Sequence, residues 1–375
     1  MNLMTAGVYL HIPFCKSRCS YCDFATDVYR NAETVERYVT ALVKEIGVFK
    51  GPKTPADTIY FGGGTPSLLA PAQVEKILAA VRDKFDVLPG AELTMEMNPA
   101  TVTPETLAAY RALGVNRASF GVQTFNDTDL KRLARGHNAQ EARDTLSMLR
   151  KAGFDNISFD LIAGLPRQTL ADWEANMDEA LALQPDHLSL YLLEIHEGTP
   201  LAKQIRSERQ PLPDEDLAAD MYELLVDKTA AAGLRQYEIS NFSRPDFESR
   251  HNSKYWLLDP VYAFGVSAHS FDGTHRYANE RDTSAYVNLI EKLGSAENFR
   301  EETRVASEFV FLGLRKSDGV NLLEYKTRFG IDLLQKYAAD LDDLGEAGLI
   351  EIAGENLRLT RKGMLYSNEV FAVFV

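Results

Sequence analysis

The sequence predicts an α/β protein, a parallel sheet wrapped by helices and followed by a smaller winged-helix-like tail. Two observations predict it. From the start to about Leu193, short apolar runs alternate with amphipathic segments, and past Glu301 that alternation gives way to helices and one hairpin.

The six runs are Gly7–Ile12, Thr58–Phe61, Glu92–Glu96, Arg117–Gly121, Asn156–Ile162 and His187–Leu192, each read as a buried strand. Between them, Ala32–Phe49 places Val35, Val39, Leu42 and Ile46 at three- and four-residue spacing, the stripe of a helix that buries one face. Ala72–Lys84 and Pro104–Leu113 repeat the pattern, with Thr103 as an N-cap ahead of Pro104. Crossover helices between successive strands imply a parallel sheet, left open or curled into a barrel. Six strands are too few to close an eight-stranded barrel, and in either arrangement the chemistry belongs at the carboxyl ends of the strands.

Arg206–Asp216 is polar and proline-bearing, a linker or an excursion before a further helix over Leu217–Ala232. In the tail, Glu308–Arg315 and Ile331–Ala347 are expected as helices and Leu349–Thr360 as a hairpin turning at Gly354–Asn356. The expected division is therefore 1–205 for the core, 206–300 for an extension of it, and 301–375 for the tail.

The chain has 375 residues, is 45% hydrophobic and 25% charged, and carries a formal net charge of −14. That balance is ordinary for a globular protein and argues against nucleic acid as a partner, since such binding draws on Lys and Arg contacts to phosphate. The tail mixes Arg358, Arg361 and Lys362 with many acids, so it lacks the basic recognition helix of a DNA-binding regulator. No run approaches the roughly 20 apolar residues of a membrane span, and MNLMTAGVYLHIPF lacks the pattern of a secretory leader. A cytoplasmic protein, not an integral membrane one, is expected.

All three cysteines of the chain, Cys15, Cys19 and Cys22, fall within eight residues, in the loop after the first strand. An odd number so closely spaced makes a poor disulfide framework and points to metal or redox chemistry. Thiolates suit Fe–S clusters and zinc. A closed zinc site needs a fourth ligand, for which His11 is the nearby candidate, whereas a cubane held by three thiolates keeps one iron free for an external ligand. The plain alternative is three buried thiols packed as small apolar groups.

Phe61-Gly62-Gly63-Gly64-Thr65-Pro66 ends the second strand. It is neither a P-loop nor a GxGxxG fingerprint, and alone it suggests a tight turn with backbone close to a ligand. Glu96 ends the third strand, Gln123 lies just past the fourth and Asp160 falls late in the fifth, while Arg135 is in the segment after the fourth. Singly these are ordinary caps or loop residues; together they suit a zwitterionic, ribose-bearing ligand at one mouth.

CxxxCxxC after a first strand, with Tyr21 just before the last cysteine, resembles the radical S-adenosylmethionine (SAM) superfamily. The resemblance implies a partial (β/α)6 barrel and a [4Fe–4S] cluster held by Cys15, Cys19 and Cys22. It also implies SAM chelated at the open iron, whose one-electron reduction yields a 5′-deoxyadenosyl radical and requires an electron donor. The Gly63, Gly64 and Thr65 element, with Tyr9, Tyr21, Glu96, Gln123, Arg135 and Asp160, matches cofactor-contacting positions of the HemN-like branch. That branch includes oxygen-independent coproporphyrinogen III oxidase.

Two features bear on the branch. The oxidase pattern has a further cysteine where this chain has Phe24, which counts against porphyrinogen decarboxylation. His251-Asn252-Ser253-Lys254-Tyr255-Trp256 resembles the HNxxYW signature of the HemW haem chaperones. By that resemblance the chain binds haem and passes it to haem-accepting apo-proteins, membrane-associated haem enzymes being candidates, with His251 as the iron ligand and Tyr255 and Trp256 shaping the site. From composition alone, His251 reads as a hydrogen-bonded core histidine. The alternative function is a radical enzyme acting on a porphyrinogen propionate. His187, His196 and His269 receive no assigned role.

Overall fold

The structure, a computed structural model, describes residues 5–51 and 53–375. All six expected strands form, as β1 (Ala6–Ile12), β2 (Pro55–Gly63), β3 (Asp86–Met97), β4 (Arg117–Gln123), β5 (Asn156–Ala163) and β6 (His187–Leu192). They pair in parallel in chain order, so their carboxyl ends share one edge. The crossovers are α1 (Ala32–Val48), α2 (Pro71–Lys84), α3 (Pro104–Leu113), α4 (Asp127–Arg132) with α5 (Ala139–Lys151), and α6 (Leu170–Ala182).

Alternation along each strand sorts its residues. Val8, Leu10, Ile59, Phe61, Leu93, Met95, Ala118, Phe120, Ile157 and Phe159 join the helices' apolar stripes in the main core. The intervening positions put Tyr9, Tyr60, Thr94, Glu96, Ser119 and Asp160 on the opposite, concave face. That face is polar, unlike the packed apolar interior of a closed (β/α)8 barrel.

The sheet extends beyond the expected six strands. After β6 come α7 (Pro200–Arg206) and α8 (Glu215–Ala231), and then β7 (Arg235–Glu238) and β8 (Asn241–Ser243) add antiparallel strands beyond β6. On the other side β9 (Val261–Phe264) pairs in parallel with β1, followed by antiparallel β10 (His269–Phe271), β11 (His275–Asn279) and β12 (Glu297–Glu302). The order is β12-β11-β10-β9-β1-β2-β3-β4-β5-β6-β8-β7, an open, partial barrel. The added strands are short and several are polar. Every residue of β12 is exposed, so no hydrophobic period announces it.

In the tail, Ile331–Ala347 is not one helix. It breaks at Tyr337, whose φ of −114° and ψ of 27° leave the helical region, into Leu333–Lys336 and Ala338–Glu346. A helix over Leu322–Phe329, capped by Asn321 and ended by left-handed Gly330, precedes it unannounced. The hairpin forms as Ile350–Ala353 and Asn356–Leu359, with Val320–Asn321 added as a third strand. The tail docks on the barrel through Arg315, which pairs with fully buried Glu238 at 3.5 Å, and Arg361, which bonds Asp227 at 2.8 Å.

Candidate functional site

The cysteine loop is held by backbone bonds that do not involve sulfur. Ser20 N–H donates to the Leu133 carbonyl, Leu201 N–H to the Ser20 carbonyl, and Asp27 N–H to the Pro13 carbonyl. Phe14–Cys15 also pairs in parallel with Asp27–Val28. The three thiols are half-buried and unpaired by disulfides. Burial pushes the Cys15 thiol up to about 11 and also raises Cys22.

Side chains from successive strand ends reach this loop. Thr65 donates its hydroxyl to Cys15 Sγ at 3.5 Å, and Asn98 Nδ2 donates to Thr65 Oγ1 at 2.7 Å. Arg135 donates to Asn98 Oδ1 (2.9 Å), the Gly121 carbonyl (2.6 Å), Cys19 Sγ (3.4 Å) and the Tyr21 hydroxyl (3.5 Å). Arg135 Nε remains buried without a partner. A pocket lies here, lined by Lys16, Cys19, Thr65, Asn98, Arg135 and His137 among others.

Glu96 stands beside this network. Tyr60 donates its hydroxyl to Oε1 at 2.8 Å and Gly63 N–H donates to Oε2 at 3.0 Å. Enclosure by protein, with Asp160 nearby, outweighs those two donors and raises the Glu96 carboxyl to about 7. Asp160 is raised as well, by burial, and accepts from Ser119 at 3.5 Å. Gln123 ends β4 with a φ of 68°, its amide folded back against Gly121.

The glycines are needed at contact distance. A Cβ on Gly63, whose φ is 114°, would lie 2.7 Å from the His11 ring, and one on Gly64 would lie 2.6 Å from the Pro13 carbonyl oxygen. His11 is engaged at both nitrogens, by Tyr9 Oη at 3.2 Å and the Ala25 carbonyl at 2.9 Å, and burial lowers its pKa to about 4. Those contacts occupy the nitrogens that a fourth zinc ligand would need. Among the described residues no three His, Cys, Asp or Glu side chains gather around a common point as a single metal ion demands.

The HNxxYW residues lie on α9 (Arg250–Leu257), deeper on the concave face. The two carboxylate oxygens of Glu92 accept the Arg250 and His251 N–H groups at 3.1 and 3.0 Å. His251 is 1% exposed, with Nδ1 on Thr58 Oγ1 at 2.9 Å and Nε2 on Tyr255 Oη at 3.2 Å. Burial, reinforced by Lys254, lowers its pKa to about 3, so the ring is neutral. Its ring stacks on Tyr60 at 5.0 Å and lies 6.2 Å from that of Tyr9. Trp256 turns the other way, under the Arg315 guanidinium at 4.3 Å and against Leu312 and Phe271 of the tail junction.

The structure thus brings Cys15, Cys19, Tyr21, Thr65 and Arg135 into one hydrogen-bonded network, and Gly63 and Glu96 into a second. It turns Trp256 away from His251, with the Trp256 ring 6.4 Å from that of Tyr255. Asn98 and Tyr60 were not among the expected site residues. Asn98 sits two positions after Glu96, and period-two spacing was the signal available for it; Tyr60 lies on β2 three residues before Gly63. His187 is a satisfied core histidine, bonded to Ser158 and Tyr237, whereas His269 is exposed.

An open α/β barrel with a CxxxCxxC loop at its mouth is the architecture of a radical SAM protein, and residues 9–180 match the radical SAM superfamily. Residues 301–366 match the HemN C-terminal domain. The solved coproporphyrinogen III oxidase (HemN) of Escherichia coli shares the fold at a TM-score of 0.86 and 24% identity, over 99% of this chain and 90% of that one. The chain is 36% identical to the heme chaperone HemW of Bacillus subtilis, over 98% of this chain and 99% of that protein. It is also 36% identical to the heme chaperone HemW of Lactococcus lactis, over 98% and 97% respectively. The chain belongs to the HemW family of the radical SAM superfamily.

Proposed function

We propose that this protein is a cytoplasmic haem chaperone that carries a [4Fe–4S] cluster on Cys15, Cys19 and Cys22 and an exchangeable SAM beside it. The observation that carries the cofactor part is the bracketing of the cysteine loop by Thr65 and Arg135, which direct an O–H and an N–H at two of its sulfurs. Such bonds favour thiolate and tune a cluster. The donor set fits a cubane better than one metal ion, because each thiolate then binds a different iron and the three sulfurs need not share a point. Arg135 Nε adds a buried donor without an acceptor, suited to a carboxylate-bearing ligand.

When bound, the cluster and SAM supply one-electron chemistry at the mouth. Around them Tyr9, Tyr21, Gly63, Gly64, Thr65, Glu96, Gln123, Arg135 and Asp160 would hold the methionyl and nucleoside groups. Glu96 gives a pH test. Its carboxyl is neutral below about 7 in the ligand-free protein. A ligand ammonium or hydroxyl prefers the ionised form, so SAM affinity should rise about tenfold per pH unit up to 7 and level off above it. Equilibrium dialysis between pH 5.5 and 8.5 checks this, and Glu96→Gln should flatten the profile.

The haem part rests on the curated relatives and on the HNxxYW helix. His251 has both nitrogens engaged, so ligation of iron would require it to leave Tyr255 or Thr58. An optical titration of anaerobically reconstituted protein tests this. Wild type should take up one haem per chain, and His251→Ala should weaken binding about tenfold, roughly 1.4 kcal/mol, or change the spectrum. Equal affinity and identical spectra would remove His251 from the haem site. Absence of binding in both proteins, with coproporphyrinogen driving 5′-deoxyadenosine release, would replace the chaperone reading by the oxidase one. Phe24, 68% exposed where the oxidase pattern has cysteine, counts against that outcome.

A further inference from the structure

One side chain touches both proposed sites. Tyr60, on β2, gives its hydroxyl to Glu96 Oε1 at 2.8 Å while its ring stacks on the His251 imidazole at 5.0 Å and 29°. The same carboxylate takes the Gly63 N–H of the glycine loop at 3.0 Å. Tyr9 closes the arrangement, its ring 6.0 Å from Tyr60 and 6.2 Å from His251, its hydroxyl on His11 at 3.2 Å. Below, Glu92 fixes the first two amides of α9, and Thr58 and Tyr255 fix the imidazole. His251 therefore rests on a ring whose hydroxyl is tied to the carboxylate of the cofactor pocket.

We propose that Tyr60 is a positioning residue that couples occupancy of the cofactor pocket to the freedom of His251. A donor on a ligand bound at Glu96 competes with the Tyr60 hydroxyl for Oε1. Once displaced, that hydroxyl must find another acceptor, the ring turns, and the stack on His251 loosens. His251 then leaves Tyr255 or Thr58 at smaller cost, and α9 opens more readily. By linkage, whatever SAM does to haem affinity, haem does to SAM affinity by the same factor. The proposal rests on SAM binding at this pocket and adds the direction of communication from it to the HNxxYW helix.

The test is hydrogen–deuterium exchange read by mass spectrometry on peptides spanning Ser249–Leu257, using the full chain reconstituted anaerobically, with and without SAM. In wild type, SAM should speed exchange about fivefold or more, the lower end of ordinary coupling between sites. Tyr60→Phe keeps the ring and loses the hydroxyl, so its α9 should exchange quickly without SAM and respond little to it. Equilibrium dialysis of SAM runs alongside. If SAM binds and α9 exchange in wild type is unchanged or slowed, the coupling is refuted and the cofactor reading stands. If Tyr60→Phe responds as wild type does, Tyr60 is not the coupling residue. If SAM does not bind at all, both readings fall. The wild-type arm decides the coupling even if the variant folds poorly.

Discussion

Replacing Cys15, Cys19 and Cys22 together by serine should abolish cluster uptake while leaving the fold intact. Serine is a hard oxygen donor with little affinity for iron in a sulfide cluster, and the chain has no other cysteine to substitute. The loop itself depends on Ser20, Leu201 and Asp27 backbone bonds and on the Phe14–Cys15 pairing with Asp27–Val28. None of these uses sulfur. Far-ultraviolet circular dichroism should therefore match wild type, and iron and sulfide analysis after anaerobic reconstitution should fall to background. The single variants should behave alike, since a cubane with two protein ligands loses its anchoring at a third iron. Retention of a full complement of iron and sulfide by the triple variant would refute the assignment of these residues.

Much of the fold was legible because the crossover unit writes two periods into one stretch of chain. Val35, Val39, Leu42 and Ile46 mark α1 as plainly as the run around Leu10 marks β1, and both signals arise from burial against the same core. The outer strands were not legible for the converse reason. β11 and β12 bury little, so polar and charged residues fill most of their positions, and only pairing in three dimensions defines them. Tyr337 shows a third limit. The helical period runs through it, but a local backbone excursion that periodicity does not record divides the helix.

At the site, residues at strand ends were readable as candidates, whereas their partners were not. Thr65 and Arg135 are bridged by Asn98, and Glu96 is held by Tyr60. Both partners are ordinary residues whose importance lies in which neighbour they reach. The polar concave face was present in the sequence as Thr58, Tyr60, Glu92, Thr94, Glu96, Ser119 and Asp160 alternating with apolar residues. Reading those runs only as buried strands passes over it. A polar row facing inward is costly unless each group has a partner or a ligand, so the alternation itself marks a binding cavity. His251 shows the opposite case. Its motif names it, yet its surroundings are those of a satisfied core histidine, and its use as a ligand requires a rearrangement that a sequence signature does not encode.

Adding one methyl group at Gly64 should destabilise the protein by about 2–3 kcal/mol, the upper part of the usual range for overpacking. Gly64 is not among the residues with positive φ, so the cost is one of space. A Cβ there would meet the Pro13 carbonyl oxygen at 2.6 Å and the Phe14 carbonyl oxygen at 2.9 Å, both backbone atoms that cannot rotate away. The Gly64 N–H is meanwhile tied to the Ile12 carbonyl at 2.8 Å, so the turn cannot retreat without losing a bond that joins β1 to the glycine loop. Relief must come from displacing Pro13 and Phe14, which lead directly into Cys15. Urea denaturation should show the stability loss, and dialysis should show SAM binding weakened tenfold or more in the same variant. Gly47→Ala supplies the control, because nothing lies within 4 Å of a Cβ at that exposed position in α1. There the same methyl should stabilise by about 0.5–1 kcal/mol through helix propensity. Opposite signs at the two glycines would tie the effect at Gly64 to its contact with the cysteine loop, and an unperturbed Gly64→Ala would show that the loop has more room than these distances allow.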